Sequence, residues 1–478
     1  MPDARSGSVE PNVHPIPSGG TAAPAPAIAQ TASPAAVSAR LERLPWSRFQ
    51  RGLFLVVATA WLFDSIDLAA ITFLLAPISQ EFGLTPAQAG LLGSVSFAGM
   101  FAGAVSAGAL ADRFGRRRVF QYSIVIWGLA SLGLVFAWNL PSLLTFRFVL
   151  GVGMGAEFPV AAALVAEFMP ASRRGRYAAL LEGAWPIGFV VAGALAYLIV
   201  PASGWRTFFA LQACLALWAL VVRRGVPESP RWLASRGLSE QAESVMASIE
   251  RRVAGLTGRA LPEPVIAAGQ DTAAGGRAGL RVLFSPAYRR RTLTLWATWF
   301  AILFGYYGLT TWMGKLLADN GFDIAKSIGF IVLMALWGVP GFLSAAYLIE
   351  IIGRRSCLAL YTVASAVAAF FYGQASDQLE LIVYGSILQF TFFGMWSSIY
   401  AFTPELFPTR VRGIGVGTAT AAGRVGALLG PIVVPLLLAE GGAPLVFTAS
   451  AGLFVLAAVL VLLLLPETKQ SVLEDISA

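Results

Sequence analysis

The chain has 478 residues, of which 57% are hydrophobic and only 13% charged. A soluble protein carries about 25% charged residues, so a solvated globule is excluded and a membrane-embedded chain is implied. The net charge of +8 falls in the connections between apolar runs, a topological signal that gives no reason to expect a nucleic-acid partner, and two cysteines inside apolar runs offer no disulfide or metal framework.

Residues 1–45 are rich in Pro, Ala and Ser without an apolar core. They predict a disordered tail, not a signal peptide. The single histidine, His14, lies there, which leaves little scope for histidine chemistry. Twelve apolar runs follow, each able to cross a ~30 Å hydrocarbon core as a helix: 51–76, 87–111, 117–137, 141–168, 176–199, 205–223, 291–315, 326–350, 356–374, 379–403, 413–438 and 444–465. The expected fold is therefore an all-α polytopic membrane protein of twelve transmembrane helices. Residues 46–223 form one six-helix bundle and 291–466 a second. A 224–290 loop joins them, with "LSEQAESVMASIERRV" as a surface helix, and 467–478 form a short tail. Arginines crowd alternate connections, so both termini and the central loop are expected on the cytoplasmic side of the inner membrane.

The first span reads "WLFDSIDLAAITFLLAPI" and holds Asp64 and Asp67. An Asp at a helix centre opposes insertion by roughly 2.5–3.5 kcal/mol, so such a residue is a functional candidate. Arg147, in span 4, falls at the same expected depth as Asp67, about 10–15 Å below the outer surface. The two can pair, as a working site or as a static ion pair. Asp64 lies one turn deeper, as a second proton carrier or as a hydrogen-bonding residue of the inner half. Glu157 and Glu182 are the other intramembrane carboxylates. Arg424, in "AAGRVGALLGP", lies about 16 Å into span 11, near the midplane. It suits a carboxylate substrate, because Arg binds one bidentately and stays charged; the alternative is a bridge to Glu157 or Asp64. Tyr306, Tyr307 and Trp312 in span 7 and Trp396 and Tyr400 in span 10 offer stacking surfaces for a flat ring.

The halves repeat. "DRFGRR" (112–117) returns as "EIIGRR" (350–355), and "AEFMPASRRG" (166–175) as "PELFPTRVRG" (404–413), both offset by 238 residues; "PES" (227–229) returns as "PET" (466–468) at 239. A parallel repeat of six-helix halves puts a substrate site at their interface.

"GALADRFGRRR", "PESPRWL" and "PELFPTRVRG" resemble the signatures of the major facilitator superfamily over nearly the whole chain after residue 45. "LFGYYGLTTW" and "YAFTPELFPTRVRGIGVGTATAAGRVGALLGP" narrow the likeness to its metabolite:proton symporters, the niacin transporters above all. The resemblance implies a rocker-switch transporter, monomeric, driven by the proton gradient with no cofactor. Its substrate is a small aromatic or heterocyclic carboxylate such as nicotinate, with benzoate-type acids and sugars as alternatives. It implies proton coupling by Asp67 with Arg147 and Asp64, and substrate binding by Arg424, Glu182, Tyr306, Tyr307, Trp396 and Tyr400. Glu182 stands where sugar porters place a glutamine, which argues against a sugar. Asp112, Arg113 and Arg116, Glu167 with Arg174, and Glu405 with Arg412 are the implied ionic latches of the gating cycle. No nucleotide-binding P-loop, nucleophile or metal motif argues for an enzyme. A transport-inactive sensor is the remaining alternative, and neither the leading tail nor the central loop has room for a signalling domain.

Overall fold

The computed structural model describes residues 33–264, 276–319, 321–408 and 411–469, with the backbone only at 171–172 and 276–279. His14, the tail before residue 33 and most of the 467–478 tail fall outside these residues. The described residues are almost wholly helical. In chain order the helices are α1 (Pro34–Glu42), α2 (Arg48–Phe82), α3 (Pro86–Phe114), α4 (Arg116–Val135), α5 (Leu140–Phe168), α6 (Ala171–Glu182), α7 (Ala184–Leu215), α8 (Trp218–Gly225), α9 (Pro230–Ser235), α10 (Ser239–Thr257), α11 (Gly276–Leu283), α12 (Arg289–Asp319), α13 (Ile324–Ala335), α14 (Gly338–Ile352), α15 (Arg354–Gln374), α16 (Gln378–Phe402) and α17 (Arg412–Leu464).

Ten continuous helical stretches are long and apolar enough to cross a membrane. Two of them, Arg173–Gly225 and Arg412–Leu464, run to 53 residues each, about 80 Å at 1.5 Å per residue and more than twice the hydrocarbon thickness. Each doubles back at a glycine. Gly204 (φ 77°) breaks α7, and Gly441 with Gly442 (φ 66°) breaks α17. Before its break α7 climbs α2 from Ser65 to Phe73. After it, Trp205 bonds Glu81 and Trp218 bonds the Val56 carbonyl, so the chain descends the same helix. In α17, Gly423 meets Trp299 and Gly430 meets Phe304 on the way up, while Phe447 packs on Tyr372 and the Leu463 carbonyl meets Arg290 on the way down. The two turns raise ten stretches to the expected twelve passes.

The elements form where their residues dictate. Thr85 and Asn139 cap α3 and α5 through capping boxes, each followed by Pro at the start of the helix. Small residues then let the spans approach closely. A Cβ on Gly99, Gly103, Gly151 or Gly155 would fall within 2.3 Å of a backbone oxygen across the α3–α5 interface. The two halves are pressed together at the end away from the arginines, where Gly314 sits on the Thr72 carbonyl and Gly90 on that of Pro431.

The sequence analysis put residues 1–45 in a disordered tail, and here the structure differs. Residues 34–42 form α1, with Val37 and Leu41 buried. Its Arg40 bridges Glu243 (2.5 Å) and Glu250 (2.7 Å) of α10, and Arg43 adds a 2.6 Å bond to Glu250. A polar-looking segment is thus held by charges supplied some 200 residues later, which local composition does not report. The two arginines hold the Glu250 carboxyl below its usual range against the opposing effect of burial.

Candidate functional site: buried charges between two six-helix halves

Three clusters of charge lie inside the helices. In the first, Asp67 (α2) is fully buried and Arg147 (α5) is 1% exposed. Their closest atoms, Arg147 Nη1 and Asp67 Oδ2, are 3.9 Å apart, an ion pair without tight contact. Trp127 from α4 and Gln212 from α7 face the same carboxylate. The depth argument from helix rise therefore brought together two residues 80 positions apart in the chain.

The second cluster sets Asp64, one turn along α2, beside Glu157 of α5, each 1% exposed. In the sequence Glu157 entered only as an intramembrane carboxylate and an alternative bridge for Arg424. By helix rise Glu157 lies about 15 Å along α5 from Arg147, whereas Asp64 lies only about 4.5 Å along α2 from Asp67, so depth alone gave no signal for this pairing. Arg424 reaches neither by an ion pair among the described residues.

The third cluster spans the interface. Arg424 of α17 lies over the Phe158 ring, 5.4 Å from its centre. Glu182, Tyr307 and Tyr400 surround its guanidinium, and its Nη1 is buried with no hydrogen-bond partner among the described residues. The Glu182 carboxyl faces the indoles of Trp185 and Trp396. Around these groups the rings form one aromatic wall. Trp396 lies 5.6 Å from Tyr306, 6.4 Å from Tyr307, 5.3 Å from Tyr400 and 5.9 Å from Trp185. Trp185, three residues past Glu182, was missed in the sequence, although that spacing places both on one helical face. Trp312 is not part of this wall: its indole donates to the Pro431 carbonyl (3.1 Å). Beside the wall, Ser65, Thr72, Trp185, Tyr306, Tyr307 and Phe393 enclose a cavity of about 20 Å³, so a ring the size of nicotinate enters only when these side chains part.

At the arginine-rich end the repeat becomes visible as structure. Arg116 pairs with Glu167, and its counterpart Arg354 pairs with Glu405 at 3.2 Å. Glu228 accepts from the Arg117 N–H (3.0 Å), as Glu467 accepts from the Arg354 N–H (2.8 Å). Each acid nestles against a glycine in the left-handed region, Gly115 (φ 97°) and Gly353 (φ 91°), where a Cβ would come within 2.5 Å of the carboxylate. Asp112 lies beside Arg116, and its carbonyl takes the Trp232 indole (2.7 Å). Arg113 stacks on Phe114.

The latch partners inferred from the sequence need correction. Glu167 pairs with Arg116 and not with Arg174, which instead bonds Glu42 of the N-terminal segment at 2.8 Å. Glu405 pairs with Arg354, while Arg412 begins α17. The expectation chose the arginine at the equivalent place of the same motif, seven residues on in each half. The turns between spans 2 and 3, and 8 and 9, supply nearer ones in space.

The chain matches the sugar (and other) transporter family over residues 58–478. It belongs to the major facilitator superfamily. Relatives in this family are transporters, not enzymes, and this chain is a multi-pass secondary transporter. The niacin transporter NiaP of Acinetobacter baylyi is 37% identical over 438 residues, covering 91% of this chain and 98% of that protein. The 4-hydroxybenzoate transporter PcaK of the same species is 30% identical, covering 82% and 86%. In fold, the xylose transporter XylE of Escherichia coli in its inward open conformation superposes with a TM-score of 0.70 at 19% identity, over 89% of this chain and 99% of that one.

Proposed function

We propose that this protein is a proton-coupled importer of a small aromatic or heterocyclic carboxylate, nicotinate first, working as a monomer in the inner membrane with both termini cytoplasmic and with the proton gradient in place of any cofactor. The observation that carries the reading is Arg424: a guanidinium with a free buried nitrogen, set in a wall of indole and phenol rings at the interface of the halves. A planar guanidinium binds a carboxylate through two parallel bonds, and the rings stack on a flat substrate. Glu182 beside it takes a hydrogen bond from a protonated ring nitrogen, which nicotinate offers and benzoate lacks. The identity to the niacin transporter supports the same choice.

Asp67 supplies the coupling. As a carboxylate it pairs with Arg147, and as a protonated acid it lets the arginine go, so the state of the pair reports whether a proton is aboard. The acid loads its proton facing out and loses it facing in, re-forming the pair. Asp64, beside Glu157, is an auxiliary carrier. The repeat-related latches, Arg116–Glu167 and Arg354–Glu405, with Asp112 and Arg113 beside the first and Arg174 and Arg412 at the adjoining turns, hold one end shut during the swing.

A second reading is a hydroxybenzoate-type acid, favoured by the aromatic wall and the 4-hydroxybenzoate relative. Uptake of labelled nicotinate, 4-hydroxybenzoate and glucose into cells making the protein, with and without a protonophore, separates the two. Nicotinate accumulation that collapses with the protonophore supports the first. Glucose uptake, or accumulation indifferent to the protonophore, overturns it.

A further inference from the structure

One groove, of about 980 Å³, lies off the proposed transport route altogether. It lies on the outside of the first half, between the start of α4, the end of α8 and the helices α9 and α10 of the central segment. Its polar end is made by Arg117, Arg118 and Arg223. Arg117 is fixed in place by a 2.7 Å bond from its Nη2 to the Arg223 carbonyl, and its Nε is buried with no partner among the described residues. Arg118 and Arg223 are exposed. Of the two acids in the groove, Glu228 is engaged by the N–H groups of Arg117 and Ser229. Glu240 stands exposed.

From this basic end the groove continues along apolar side chains. Tyr122 is 62% exposed and Leu220 56%, and Val125 lies beyond Tyr122 on the same helix. Val125 is seven residues past Arg118, about 10 Å deeper by helix rise. A cationic head at the membrane boundary with an apolar wall running inward is the shape of a phospholipid, not of a soluble anion.

We propose that this groove binds one anionic phospholipid of the phosphatidylglycerol type. Arg117, Arg118 and Arg223 hold its phosphodiester, Glu240 accepts a headgroup hydroxyl, and Tyr122 and Leu220 flank an acyl chain. Basic pockets between helices at this depth suit anionic headgroups. The lipid bridges α4 and α8 to the central helices α9 and α10, so it acts as a pin between the first half and the segment joining the two halves. This stands independently of the substrate and of the coupling ion.

The test counts lipids retained on the full-length protein by native mass spectrometry after reconstitution in mixtures of phosphatidylglycerol, phosphatidylethanolamine and phosphatidylcholine. One phosphatidylglycerol per chain is expected on the wild type, in preference to the other two. Retention in the Arg118→Gln/Arg223→Gln double variant should fall about thirty-fold, at roughly a tenfold or less per arginine. Equal retention in the variant overturns the site. So do equal occupancy by phosphatidylethanolamine in the wild type, a competition that needs no variant to fold, and displacement by glycerol phosphate at the concentration of lipid, which would mean that the apolar wall is idle.

Discussion

The two six-helix halves agree where they meet the arginine-rich side and disagree in the membrane. At the turns, Arg116–Glu167 and Glu228 in one half answer Arg354–Glu405 and Glu467 in the other, down to a left-handed glycine under each terminal acid. At mid-depth the symmetry is gone. The first half buries Asp64, Asp67, Arg147 and Glu157, whereas the second contributes Arg424 and the rings of Tyr306, Tyr307, Trp396 and Tyr400. A rocking motion of the kind the resemblance implies needs matched latches, and the repeated pairs at the ends supply them. In the proposed function the ion-binding residues fall in the first half, whereas the substrate site takes Arg424 and most of its rings from the second half and Glu182, Trp185 and Phe158 from the first.

The sharpest way to break this division is to remove the proposed proton carrier. Asp67→Asn keeps the side chain's size and mimics the protonated acid permanently. Accumulation of substrate in proteoliposomes driven by a pH difference should fall to background, while counterflow exchange and substrate binding persist. Retained uphill accumulation would move the coupling to Asp64 and Glu157. The reverse experiment, Arg147→Gln, leaves a buried carboxylate without its partner. It should destabilise the protein by up to about 3–5 kcal/mol, a loss to be read in thermal unfolding beside that of Asp67→Asn, which leaves Arg147 without its partner in turn.

On the substrate side the expected effect is smaller. Arg424→Lys keeps the charge but loses the two-pronged geometry. One charge-assisted bond is worth about 1.5–3 kcal/mol, so the Kd for the acid should rise roughly ten- to a hundred-fold, with the pH dependence of transport unchanged. An altered pH dependence would join the two tasks that the proposed sites keep apart. Binding by calorimetry of the acid against its amide provides the check, since a guanidinium anchor prefers the acid.

The latches should respond alike in both halves. Gly115→Ala and Gly353→Ala each put a Cβ at a left-handed position, at about 1–2 kcal/mol, and against a carboxylate oxygen at 2.5 Å. Both should lower Tm by similar amounts and slow transport without changing equilibrium substrate affinity. An effect confined to one half would show that the repeat is a relic there.

How much of this was legible beforehand follows from range. Depth along a helix is a local quantity, and it paired Asp67 with Arg147 and put Arg424 near the midplane. The repeat was legible as spacing, yet spacing alone assigned Glu167 and Glu405 to the wrong arginines, since three turns meet at each latch and only packing decides which one closes. Helix α1 was invisible for the same reason. Arg40 and Arg43 look like tail residues until Glu243 and Glu250 arrive from α10. Arg174 belonged with Glu42 of that segment, a partner 132 residues earlier that no local motif names.

The finest difference between the matched ends is a matter of how many donors each acid commands. Glu467 accepts backbone N–H groups from Arg354, Ser356, Thr468 and Lys469, whereas Glu228 takes those of Arg117 and Ser229. Those four donors hold the Glu467 carboxyl below its ordinary range, outweighing the burial that opposes them. A carboxyl depressed in the folded protein contributes stability that is complete above the unfolded value of about 4.3 and fades as pH falls through the lower folded value. Glu467→Gln therefore lowers Tm at pH 7, by about 1–2 °C for a chain of this size, and the gap to the wild type closes as the solution is taken toward pH 3. Glu228→Gln, with fewer donors to lose, should cost less at pH 7. Differential scanning fluorimetry of the purified variants from pH 3 to pH 7 reads both. A Glu467→Gln gap that stays constant across that range would mean the carboxylate's charge is not what the four N–H groups hold, and that the two ends of the molecule differ in shape alone.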